Sequence, residues 1–142
     1  MPEQERDRII DEEHLRLLTI GHYITGGLCI AFASVFIFHF VFMLFASLNP
    51  EIFSAHGQAP KGPPDGMMKV FAVVIGLFIL AGWSFGGLTI YAGRCIRARV
   101  HRTFAFVMAC LNVMFIPFGT VLGVFTLIVL SRPSVKRLYP GS

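Results

Sequence analysis

The side chains best suited to redox or metal chemistry in this 142-residue sequence are five histidines and three cysteines, and their positions give them little to work with. His39 is the one histidine well inside a long apolar stretch, whereas His22 and His101 stand near charged flanks and His56 lies in a Pro/Gly-rich connection. A haem held by two histidines needs both at one depth. Within one chain that arrangement is not expected, although a symmetric dimer would pair two copies of His39. The simpler reading is that His39 hydrogen-bonds to a neighbouring helix, since polar groups in a bilayer turn toward protein. Cys29, Cys95 and Cys110 lack the spacing of a metal or redox pair and read as small apolar fillers. No pair of carboxylates, nucleophile with base, or phosphate-cradling loop occurs in a setting that supports catalysis. The sequence therefore predicts neither an enzyme nor a resident metal or cofactor.

Other groups offer binding or packing instead. Arg94, Arg97, Arg99 and Arg102, with His22, Tyr23 and His101, would gather at one membrane face, where each basic charge gains about 1 kcal/mol from an anionic leaflet. They have the chemistry to contact a lipid headgroup, but a topology signal with an aromatic anchor explains them more simply. Gly82 with Gly86, and Gly119 with Gly123, have Gly-x-x-x-Gly spacing, which places both glycines on one helix face and lets backbones approach. Gly27 with Ala31 is a weaker version. The spacing does not say whether the contacts lie within the chain or between chains. Asn112 and Thr120 flank Pro117, where they would either line a polar site at a broken helix or satisfy backbone groups freed by the proline. The second reading is preferred, because no charged residue lines a route to them.

The elements that must position these residues follow from charge and length. The chain is 55% apolar and 14% charged, and its charges fall in blocks. Residues 20–48, 70–93 and 103–130 are almost free of Asp, Glu, Lys and Arg. A helix needs about 20 apolar residues to cross a ~30 Å core, so each stretch is long enough. Strand-like residues at 35–42 do not change this, because an open strand leaves its backbone unpaired in lipid. Residues 1–19 hold three Arg against six acids, residues 94–102 hold four Arg and no acid, and residues 132–142 hold Arg132, Lys136 and Arg137 unopposed. By the positive-inside rule the 94–102 loop is cytoplasmic, and the linker at 49–69 is exported. The N-terminus then lies inside.

The basic tail also belongs inside, which requires an even number of passages. The last apolar stretch holds about 28 residues, roughly 42 Å as one helix and too long for a single upright span. Pro117-Phe118-Gly119-Thr120 near its middle can break a helix, reverse the chain and cap a new helix. The expected architecture is an all-α integral membrane protein of one domain. It has spans at 20–48 and 70–93, a basic loop at 94–102, a broken segment at 103–131 folded as helices 103–116 and 120–131, and a cytoplasmic tail at 132–142. The alternative is three spans with the third kinked. In the N-terminal segment 1–19, Asp11 reads as a helix cap for a short surface helix over 11–18, and a simple extension of the first span is the equal alternative.

At this level three motifs resemble a widespread family of short, uncharacterised bacterial membrane proteins. They are DEEHLRLL at 11–18 followed by Gly21-His22-Tyr23 and Gly26-Gly27, the loop from Ala92-Gly93-Arg94 to His101-Arg102-Thr103-Phe104, and PFGTVLGVFT at 117–126 running to LSRPSV at 130–135. The resemblance implies a bacterial inner-membrane location and carries no activity, ligand or catalytic residue. The functional expectation is a structural or accessory protein that packs with itself or with a larger complex among membrane lipids, without nucleic acid. An oligomeric solute or ion pathway lined by His39, Asn112 and Thr120, and a lipid-responsive regulator using the basic loop, are the alternatives.

Overall fold

The computed structural model describes residues 3–49, 65–115 and 117–139, and the helices among them are α1 (Glu3–Leu48), α2 (Asp65–Ala98), α3 (Arg102–Val113), α4 (Phe118–Ser131) and α5 (Pro133–Lys136). No strand occurs among the described residues. Linker residues 50–64, with His56, and Ile116 of the expected first hairpin helix lie outside them. Helices α1 and α2 are long and apolar enough to cross a membrane, and α3 and α4 are shorter apolar helices.

The long helices run beyond the expected spans. Of the two equal readings of residues 1–19, the extension of the first span is the one observed: α1 runs unbroken through residue 19, and Asp11 sits inside it, buried, rather than capping a separate surface helix. No proline or helix stop lies between Glu3 and Leu48, and a drop in charge marks where lipid would begin without ending a helix. Likewise α2 starts at Asp65 and continues through Arg94 to Ala98, so most of the expected loop is helical. Residues of that segment, Arg and Ala among them, are good helix formers.

The described chain divides into two compact units, residues 29–84 and residues 1–28 with 85–142. In the 29–84 unit the end of α1 runs antiparallel to the start of α2. A side-chain carbon added at Gly82 would lie 2.6 Å from the Ala33 methyl, one at Gly76 would lie 3.3 Å from the Phe40 ring, and the Phe36 and Phe78 rings meet edge-on at 5.1 Å. Small residues therefore sit where the backbones are closest, with Ala33, Ala46 and Ala72 all buried. The Trp83 indole nitrogen donates to the Ser34 hydroxyl at 3.1 Å, and that hydroxyl donates to the Ile30 carbonyl at 2.7 Å.

In the other unit α3 and α4 fold back on each other. Arg102 at the start of α3 donates to the Leu130 carbonyl near the end of α4, and the Thr120 hydroxyl at the start of α4 donates to the Val113 carbonyl at 2.8 Å. Gly123 lets α4 approach the Ala109 carbonyl, which a side-chain carbon there would meet at 2.6 Å. Pro117 has no amide hydrogen to continue α3, which ends at Val113 before α4 begins at Phe118. Leu15 and Leu18 of α1 and Ile96 of α2 form a core with Ala105, Val129 and Leu130 of the α3–α4 pair. Arg132 is extended, which sets Pro133 at the first position of α5, where a missing amide hydrogen costs nothing. Val135 and Tyr139 then return to the same core.

Candidate functional site

A cleft of about 500 Å³ opens between the first part of α1 and the end of α2. From α1 it takes Glu12, Arg16, Thr19 and Tyr23, spaced four, three and four residues apart and hence on one helix face. From the other side come Arg97 and Arg99, while Leu15, Ile20 and Ile96 form apolar wall. The α1–α2 approach beside it depends on small residues. A side-chain carbon at Gly93 would meet the His22 side chain at 3.0 Å, and one at Gly26 would meet the Gly86 carbonyl at 2.7 Å.

Arg99 reaches the cleft through the way α2 ends. The Arg99 amide donates to the Ile96 carbonyl and the Val100 amide to the Cys95 carbonyl, at 3.2 and 3.0 Å, the paired bonds of a Schellman ending. That ending puts its residue in the left-handed region, and Arg99 has φ 55° where glycine is usual; His101, just before α3, has φ 48°. The Arg99 guanidinium is fixed by Glu12, donating to Oε1 at 3.0 Å, and Arg8 approaches the same oxygen at 3.5 Å. The hydrogen bond from Arg99, helped by the charges of Arg99 and Arg8, holds the Glu12 carboxyl below its ordinary range. Arg16 and Arg97 are exposed, and among the described residues neither side chain forms an ion pair or hydrogen bond.

Two further arginine contacts, a hydrogen bond to a carbonyl and an ion pair, close this end of the unit. Arg102 turns inward, and its Nε and Nη2 donate to the Leu130 carbonyl at 3.1 and 2.7 Å, placing a cation on an orphan carbonyl at the negative end of α4. Asp11, 3% exposed, is approached by Arg132 at 3.4 Å. Burial is the main cause that pushes the Tyr139 hydroxyl up to about 12, so it stays neutral beside this cluster.

The residues singled out from sequence are thus separated by role. Arg97 and Arg99 line the cleft, Arg94 is exposed outside its lining, and Arg102 is a helix cap. Gly82 and Gly86 lie against α1, at Ala33 and Gly26, and Gly119 and Gly123 lie against α3, so each motif has a partner within the chain. Among the described residues nothing lies within 4 Å of a side-chain carbon added at Gly27, and Ala31 is exposed, so no close helix approach is seen at that pair. His39 is exposed and touches the rings of Phe36 and Phe38. The Thr120 hydroxyl is occupied by the Val113 carbonyl, whereas Asn112 is fully buried and, among the described residues, neither side-chain amide atom is hydrogen-bonded. His22 is buried as well. Its Nδ1 donates to the Leu18 carbonyl at 2.9 Å, and its Nε2 has no hydrogen-bond partner among the described residues. Among the described residues no three His, Cys, Asp or Glu side chains converge as metal ligands, and all three cysteines are free.

Sequence reasoning missed Glu12, Arg16 and Thr19 as cleft residues. The signal available was their four-three-four spacing up to Tyr23, facing a basic helix end. No protein-family model, curated protein or solved structure matches the chain.

Proposed function

We propose that this chain is a multi-pass protein of a bacterial inner membrane and serves there as a structural or accessory component rather than an enzyme. The observation that carries the reading is the small share of the apolar windows buried within the fold, 6% in α1 and 17% in α2. The apolar core helix of a water-soluble protein would be mostly buried, whereas these helices present Phe38, Leu48, Val70 and Leu77 outward at 61–75% exposure. Lipid or partner helices are the covers that fit such surfaces.

In this reading α1 and α2 cross the bilayer and α3–α4 dips into it and returns. With 12 and 14 residues, α3 and α4 are roughly 18 and 21 Å long, short of a ~30 Å core. A reversal at depth requires its backbone groups to be paired. The Met114, Phe115 and Thr120 amides all donate to carbonyls of this turn, and Phe115 lies against Phe85 at a ring separation of 4.5 Å. Met114 and Phe118, 79% and 76% exposed, give the tip a surface suited to lipid. The Asp11–Arg132 contact joins α1 to the tail, which supports placing both on one side, and the basic residues make that side cytoplasmic.

The glycine motifs have partners inside the chain, so they favour a rigid framework; association with a larger complex would use the exposed apolar faces. Extraction of membranes with alkaline carbonate tests the reading. The protein should remain in the membrane pellet and leave it only with detergent, and release into the aqueous fraction would overturn it.

A further inference from the structure

We infer that the cleft beside α1 and α2 binds the phosphate headgroup of an anionic phospholipid. The inference rests on the membrane reading for the position of the cleft, at the basic end of α2 where headgroups lie. Its walls match an amphiphile, with Arg16, Arg97 and Arg99 offering three cations against the single carboxylate of Glu12. That carboxylate is already bracketed by Arg99 and Arg8, so it orients Arg99 without leaving a bare negative charge to repel a phosphate. Arg16 and Arg97 have no ionic partner among the described residues, and their guanidinium groups can grip phosphate oxygens through paired N–H donors. Tyr23 on the same face has the mixed polar and apolar character suited to the interface, and the apolar walls at Leu15, Ile20 and Ile96 accept the first carbons of the acyl chains.

The site differs from a general attraction of a basic loop to a charged surface, because it assigns different roles to neighbouring arginines. Arg16 lies more than 80 positions from Arg97 in sequence yet shares the cleft with it, while Arg94 lies outside the lining and Arg102 is committed to the Leu130 carbonyl. A diffuse electrostatic effect would weigh Arg94 equally with Arg97.

The test is native mass spectrometry of the full chain released from detergent micelles containing equal amounts of phosphatidylglycerol and phosphatidylcholine. Phosphatidylglycerol should be retained selectively. Each lost arginine contact should weaken retention roughly fivefold, so Arg16→Gln with Arg97→Gln should reduce it by about 25-fold, while Arg94→Gln leaves it within about twofold. Equal retention of the two lipids, or equal losses in the double variant and Arg94→Gln, would overturn the site. Displacement of the lipid by millimolar glycerol phosphate would assign the cleft to a soluble phosphate ester and overturn the lipid source. Failure of the membrane reading shows separately, as release by carbonate, and does not alter the micelle measurement.

Discussion

Arg102 shows how a residue's surroundings decide what its charge does. In sequence it is one of four arginines in a basic run, but in the fold its two N–H groups hold the Leu130 carbonyl and link the two ends of the α3–α4 pair. A hydrogen bond from a charged donor contributes about 1.5–3 kcal/mol. Arg102 is only partly buried, so the lower end of that range is expected for Arg102→Ala. The thermal midpoint in detergent, followed by far-UV circular dichroism, should fall for Arg102→Ala and fall less for Arg102→Lys, which keeps the cation but not the planar two-point grip. Arg94→Ala should leave the midpoint unchanged. Residues of this kind are not legible in sequence, because spacing along a helix cannot show which of several arginines meets a carbonyl 28 positions away. Asn112 was recognisable as a polar group beside the Pro117 break, but its burial without a hydrogen bond depends on how α3 and α4 close around it.

Among the elements, the break at Pro117 was legible because its cause is local, a residue that lacks the amide hydrogen a continuing helix requires. The ends of α1 and α2 were not, since hydropathy reports where charged residues give way to apolar ones, while helices stop at caps and left-handed residues such as Arg99. The glycine motifs were half legible: spacing defined a face but not its partner. On α2 the small residues Gly82, Gly86, Thr89 and Gly93 continue at intervals of four, three and four, a longer stripe than the five-residue motif, with Gly26 and Ala33 of α1 answering it seven residues apart. On α4, a methyl at Gly123 would press on the Ala109 carbonyl, which is backbone and cannot swing aside. Gly123→Ala should therefore destabilise the α3–α4 pair by about 1–3 kcal/mol. Gly27→Ala, where nothing lies within 4 Å, should be neutral or stabilising by about 0.5–1 kcal/mol through helix propensity. Thermal midpoints of the two variants in the same detergent check this; equal effects would show that Gly123 is not at a close contact.

For the whole molecule, three long apolar stretches resolve into two long helices and a pair of short ones. The charge ledger of the sequence already argued for an even number of passages. The structure adds contacts that make the return of the chain concrete, from Arg102 to Leu130 and from Asp11 to Arg132. The central claim is that the last apolar segment enters the membrane and comes back, leaving both chain ends in the cytoplasm. Its most direct test is a pair of reporters fused after Ser142, a fluorescent protein that folds only in the cytoplasm and alkaline phosphatase that is active only when exported. The account predicts fluorescence without phosphatase activity, and phosphatase activity without fluorescence would contradict it.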